Sequence, residues 1–407
     1  MKKFCSSKVL MISNMKLVIA IIYICLNVSC SKPNEPNTFL INSKALVANK
    51  QKIKANDSQL LNALTQLKQL ADAALEKGPY SVTSKKQTPP SGDKHDYMSM
   101  GPYWWPDPSK PDGLPYIRRD GERNPEINEL HDAEYIKTIF TDVRLLSLAY
   151  YFTEDNKYAD KAIELLNVWF LDEATLMNPN LNYAQSIPGI TEGRGIGIID
   201  TRGLVHLIDG IQILKSSNQL SQIQYDGLQT WFGEYLHWLL TSPNGIDEAD
   251  EHNNHGTYYD IQAIAMALFV EKTDEAVKVL NEKTKARIDS QLELNGSQPH
   301  ELARTLSWTY SQMNLEGFFQ LAALSENVNI DLWNYVSPSG KSIKQAFFWM
   351  LPYAQGKPWE YKQLNPANQS TYLDLSRIAV VKYPNQDLAN WLTKQNDKTN
   401  SLFILTN

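Results

Sequence analysis

Asn253-Asn254-His255, then His300-Glu301-Leu302-Ala303-Arg304 and Tyr310, supply an amide, imidazoles, a guanidinium and a phenol. These are the groups needed to pull a proton from carbon next to a carboxylate. The carboxylate of a uronic acid must first be neutralised by hydrogen bonds and positive charge, because otherwise the α-proton is too weakly acidic for any side chain to remove. Asn254, His255 and Arg304 carry the groups for that step. A tyrosine of depressed pKa can then accept the proton and return one to the departing glycosidic oxygen, and Tyr310 is the candidate. Two plainer readings stay open. Asn-Asn-His also suits a turn capping a helix that starts near Thr257. A helix from about Pro299 to Ser325 would carry Arg304 and Tyr310 six residues apart, a poor same-face spacing. Either a local break lets both reach one site, or one of them is structural.

Positioning such side chains falls to helices, whose periodicity dominates the chain. Gln59 to Leu75 places Leu60, Leu61, Leu64, Leu67, Leu70 and Ala71 at three- and four-residue steps and stops at Gly78. Helices over about 128–152 and 156–171, joined by Thr153-Glu154-Asp155, read as an antiparallel hairpin. Further pairs follow at 203–215 with 220–241, 257–271 with 274–294, 300–326 with 342–352, and 370–381 with 386–395. Hairpin after hairpin with no strand series implies an all-α architecture. Stacked hairpins can close into an α/α toroid, and residues 41–407 are expected to form it as a single domain.

Two segments break this rhythm. Gln87 to Asn124 holds Pro89, Pro90, Pro102, Pro106, Pro108, Pro111 and Pro115, which exclude regular helix over most of it. Its aromatics, Tyr97, Tyr103, Trp104, Trp105 and Tyr116, argue against disorder. Either they stack on sugar faces as one wall of a glycan cleft, or Trp104 and Trp105 plug the end of the toroid. Asn178 to Asp200, with Tyr183 and Arg194, would form the facing wall. Its glycines are not a dinucleotide fingerprint, since no strand precedes them and the spacing is wrong.

Composition is that of an ordinary soluble globular chain, 43% hydrophobic and 21% charged. A net charge of -6 argues against a nucleic-acid or anionic-membrane surface. Local charge matters more for a polyanionic substrate, and Arg118, Arg119, Arg123, Arg194 and Arg202 fall in loop-like segments able to line a positive groove. His252 and His255, with Asp250 and Glu251 close by, invite a metal reading. No His-Glu-x-x-His motif or cysteine pair accompanies them, so no metal or other cofactor is expected.

All three cysteines, Cys5, Cys25 and Cys30, precede the body. Lys16 followed by an apolar core from Leu17 to Leu26 reads as a signal peptide over residues 1–29, with Met15 an alternative start. Val28-Ser29-Cys30 resembles a bacterial lipoprotein cleavage site, which makes Cys30 the lipidated first residue, 30–40 a tether, and the bacterial envelope the location. An ordinary secretory signal cut nearby is the alternative.

Asn-Asn-His, the Glu-Leu-Ala-Arg segment ending at Arg304, and the aromatic stretch with Tyr310 together resemble the alginate lyase superfamily of all-helical toroids. Tyr97-Met-Ser-Met-Gly-Pro-Tyr-Trp-Trp-Pro-Asp107 resembles the polysaccharide lyase family 38 branch, and the likeness runs from about Asp93 to about Tyr383. In family 5 alginate lyases the gap between this Arg and this Tyr is one residue longer. The resemblance implies that Asn254 and Arg304 neutralise the carboxylate with His300 assisting. Tyr310 would be the acid, and also the base where proton and leaving group are syn, as in β-mannuronate. His255 would be the second base for the anti geometry of α-guluronate. Tyr97, Trp104, Trp105, Arg118, Arg119, Arg194, Tyr258 and His300 are the candidate substrate-binding residues. The expected partner is an anionic polysaccharide, alginate first, with glucuronan or another 4-linked polyuronate open, and the expected state is a monomer. Two other functions remain: an inverting glycoside hydrolase on an α/α toroid, drawing two carboxylates from Asp200, Asp247, Asp250, Glu251 and Glu301, or a noncatalytic glycan-binding lipoprotein.

Overall fold

The computed structural model describes residues 35–395 and 400–407. The apolar segment Leu17–Leu26 and the proposed lipidation site Cys30 lie outside the described residues. Pro36–Asn407 form one compact unit.

Short polar side chains start the helices where the pattern demands them. Asp57 accepts from the Leu60 amide ahead of Ser58–Leu75, Asp155 from Lys157 ahead of Asn156–Leu166, and Ser221 and Gln224 cap Gln222–Thr241 reciprocally. Five helices, Asp132–Thr153, Leu204–Ser216, Asn254–Phe269, Ser307–Glu326 and Ser370–Lys382, each pack on the next and form the inner ring of an α/α toroid. Ser58–Leu75, Asn156–Leu166, Gln222–Thr241, Thr273–Val279, Ile343–Ala354 and Gln386–Thr393 back them from outside. An inner helix is enclosed on nearly every side, and in Asn254–Phe269 only His255 and Leu268 are not buried.

The structure departs from the sequence expectations in four places. Helices Ser43–Lys54, Pro243–Ala249 and Ser401–Thr406 are additional. The expected helix over 300–326 is broken into Pro299–Leu302 and Ser307–Glu326. The expected tether over 30–40 ends early, because the amides of Phe39, Leu40 and Ile41 all donate to the buried Asp209 carboxylate at 2.6–3.3 Å. Finally, the two irregular segments carry short strands. β1 (Met98–Met100) and β2 (Trp104–Trp105) lie in the first with β3 (Ile117–Arg118), and β4 (Tyr183–Ser186) lies in the second. β2 and β3 form an antiparallel pair, while β1 runs parallel to β4 and joins the two segments directly. Among the described residues no helix is long and apolar enough to cross a membrane.

Candidate active site

Asn254 and His255 occupy the first turn of an inner helix, held there by the Asn253 side chain accepting from the His255 amide. The cap is Asn253, which leaves the side chains of Asn254 and His255 outside the capping bond. Glu301 accepts from the Asn254 amide at 2.7 Å and from Nδ2 at 2.9 Å. That bond uses one N–H of Nδ2 and orients the other. His255 Nδ1 lies 2.8 Å from Oε1 of Glu248, a buried carboxylate whose Oε2 has no partner among the described residues. With Nδ1 occupied by the carboxylate, Nε2 is the ring nitrogen left for another partner. Burial raises the pKa of both carboxylates, against the pull of His255 on Glu248 and of the Asn254 bonds on Glu301. Behind them Arg287 pairs with buried Asp260 at 2.9 Å and donates to the carbonyls of Ala249 and Glu251, fixing the turn that leads into Asn253.

Arg304 and Tyr310 meet because the helix breaks between them. In the break the Thr305 hydroxyl donates to Asp120 at 2.9 Å, Ser307 N–H donates to the Lys362 carbonyl, and Leu364 N–H donates to the Thr305 carbonyl. The Asp120 loop approaches this closely because Gly121 has a positive φ, and a Cβ there would run into Thr305 Oγ1. Arg304 pairs with Asp120 at 2.8 Å, and its guanidinium carbon sits 3.9 Å from the centroid of the Tyr310 ring. The Tyr310 hydroxyl is 2.8 Å from that of Tyr103. Burial would push the Asp120 carboxyl up, yet Arg304 and Thr305 outweigh it and hold it at about 2.

Tyr310 departs from expectation in one respect. Burial raises its phenol pKa, Arg304 opposes the rise, and the Tyr103 contact adds to it, so without substrate Tyr310 rests as the neutral phenol rather than as a depressed one.

The other expected residues divide. Tyr97 is fully buried, with its hydroxyl on Asp200 at 2.9 Å, and therefore anchors its loop instead of offering a face to sugar. Tyr258 is likewise buried, its hydroxyl donating to the Met313 carbonyl at 3.2 Å. His300 is exposed, and its ring contact is with His252 at 4.5 Å between centroids rather than with Asn254 or Arg304. Trp104 and Trp105 are half-buried in β2, neither toroid core nor free platform. Arg194 lies 5.9 Å from the Trp104 ring and Arg119 lies 5.1 Å from the Trp105 ring. Arg194 also donates to Gln185 through Nε and Nη2, and exposed Arg118 shares Asp120 with Arg304. Of the carboxylates weighed for hydrolysis, Asp200 accepts from Tyr97, Ser99 and Gln185, and Glu301 from Asn254. Among the described residues no group of three or more His, Cys, Asp or Glu is arranged to hold a metal ion.

Glu248, Asp120 and Tyr103 were not singled out from sequence as site residues. Glu248 stands among Asp247, Asp250 and Glu251, and nothing local distinguishes the one that folding buries behind His255. For Tyr103 a signal was present, an aromatic-rich loop already read as ordered.

The family model for alginate lyases matches residues 81–360. The crystal structure of an alginate lyase from Bacteroides ovatus is 39% identical, with a TM-score of 0.85 over 91% of this chain and 99% of that one. Alginate lyase A1-III from Sphingomonas species A1 shares the fold at 15% identity, with a TM-score of 0.52 over 81% of this chain and 88% of that one. None of the curated proteins matches the chain at a significant level.

Proposed function

Because the chain belongs to the alginate lyase family and is a polysaccharide lyase, we propose that it cleaves a 4-linked polyuronate, alginate first, by β-elimination at the Asn254–His255–Arg304–Tyr310 cluster. One observation carries the reading. A phenol lies under a guanidinium, an amide and an imidazole are each set by a buried carboxylate, and the carboxylate that holds the amide, Glu301, feels the charges of both Arg304 and His255.

The free N–H of Asn254 and the Arg304 guanidinium would neutralise the uronate carboxylate and acidify the C5 proton. In guluronate that proton lies anti to O4. Nε2 of His255 would then take it while the Tyr310 phenol donates to O4, a role its raised pKa suits. In mannuronate the two are syn, and Tyr310 would serve in both steps: its phenol first gives its proton to solvent, the phenolate takes the C5 proton, and the phenol so formed donates that proton to the departing O4. Arg304 above the ring is the group that stabilises the phenolate. The test is incubation with polymannuronate, polyguluronate and glucuronan while following ultraviolet absorbance. Elimination leaves an absorbing C4–C5 double bond, and a hydrolase would shorten the chains without one.

The segment up to Cys30 supports a lipid anchor in the bacterial envelope, with a catalytic body that is a single domain from about residue 41, or from Pro36 with the segment bound to Asp209 included. Cys30→Ala should release the protein from the membrane fraction, and unaltered membrane association would contradict the anchor.

A further inference from the structure

Ser99, Met100 and Pro102, which immediately precede the Tyr103 that meets Tyr310, form one wall of a cavity of about 580 Å³. The opposite wall is the first turns of inner helix Asp132–Thr153, and the volume falls within the range of small-ligand sites. Lys77, Arg123 and Lys137 bring three cations to the lining, and Glu134, Asp142 and Asp200 bring three carboxylates. The cations are loosely held. Lys137 Nζ stands 3.7 Å from Asp200, which already accepts from Tyr97 and Ser99. Lys77 Nζ stands 3.4 Å from Oδ1 of Asp142, and the two lysine side chains remain 43% and 47% exposed. Asp142 itself is 2% exposed, and its Oδ2 has no partner among the described residues.

Asp142 Oδ2 is closed to solvent, so the carboxylate open to a ligand hydroxyl is that of Glu134, 72% exposed. A lining with loosely held cations and an accessible carboxylate suits a molecule bearing both a carboxylate and hydroxyls. A simple anion would be repelled by Asp142 and Glu134, and a neutral sugar would leave Lys137 and Arg123 unused. We propose that this cavity is a distal subsite for one uronate unit of the bound chain, with Lys137 and Arg123 taking its carboxylate and Glu134 accepting from a ring hydroxyl. The subsite rests on the elimination reading above and adds where a sugar beyond the reacting unit is held.

The experiment compares polymannuronate with the shortest mannuronate oligomer cleaved, for the parent protein, Lys137→Ala and Lys137→Ala with Arg123→Ala. The readout is the ratio of kcat/KM on polymer to that on the short oligomer. Losing a charge-assisted contact is worth about ten-fold, so that ratio should fall by about ten-fold or more, chiefly through KM on the polymer. Both side chains are solvent-accessible and their removal leaves no cavity in the core, so the variants should fold, which thermal melts verify. A ratio within about two-fold of the parent's, including equal losses on both substrates, overturns the subsite while leaving the lyase reading intact. If the parent forms no ultraviolet-absorbing product from any polyuronate, the elimination reading fails first and the subsite falls with it.

Discussion

Asn254 and His255 rest on carboxylates buried within the helical body, Glu301 and Glu248, whereas Arg304 and Tyr310 rest on Asp120 and Tyr103 from the long proline-rich loop. The first pair is over-determined. A buried carboxylate that loses its donor, or an amide that loses its acceptor, has no water to turn to, so position and stability are coupled there. The second pair is set by a break in a helix and by a loop that folds over it, with partly exposed partners. Its geometry can therefore be disturbed at less cost to the fold. On the proposed reading, the difference separates a rigid half, which holds the amide and the second base, from a loop-dependent half, which holds the cation and the acid.

The largest effect should come from Tyr310→Phe, which keeps the ring under Arg304 and removes the proton carrier. General acid–base groups contribute about 10²–10⁴-fold, so kcat on polymannuronate should fall on that scale with the melting temperature unchanged. Activity within a few-fold of the parent would remove Tyr310 from the mechanism. Glu301→Ala should lower activity by about ten-fold or more and also destabilise the fold by about 1–3 kcal/mol, since it strips the acceptor from buried Asn254. An activity loss with an unmoved denaturation midpoint would mean that Asn254 is not held as described.

Asp120→Asn should be mildest in activity, a few-fold loss in kcat/KM, with a stability loss of about 1–2 kcal/mol at neutral pH. Its sign with pH is fixed. The folded carboxyl is held at about 2 against an ordinary 3.8, so the Asp120 contact contributes fully above about pH 4 and is lost as pH falls toward 2. The stability difference between parent and variant should therefore shrink over that window, and a difference that grows on acidification would contradict the pairing with Arg304.

Much of this was legible in the sequence, for identifiable reasons. The hairpins were readable because Leu and Ala recur at helical steps and short polar residues cap several of the starts, and most of their bounds fall within a few residues of those observed. The break before Ser307 was visible only as a conflict, Arg304 and Tyr310 being awkwardly spaced, because the bonds that replace the helix come from Asp120 and from residues 362–364, remote in the chain. Tyr97 looked like a sugar platform because sequence cannot separate an aromatic that faces a cleft from one whose hydroxyl anchors a loop on Asp200. Glu248 was hidden among neighbouring acids for the same reason: burial is decided by the fold.

The role proposed for the rigid half, a base opposite Tyr310, is tested most directly by His255→Ala, through the ratio of kcat/KM on polyguluronate to that on polymannuronate. Losses from weaker carboxylate binding are common to both substrates and cancel in the ratio. The expected result is a fall of about ten-fold or more, because only the anti substrate needs a base opposite Tyr310. An unchanged ratio would contradict it, leaving His255 a carboxylate binder and Tyr310 the sole proton carrier for both sugars.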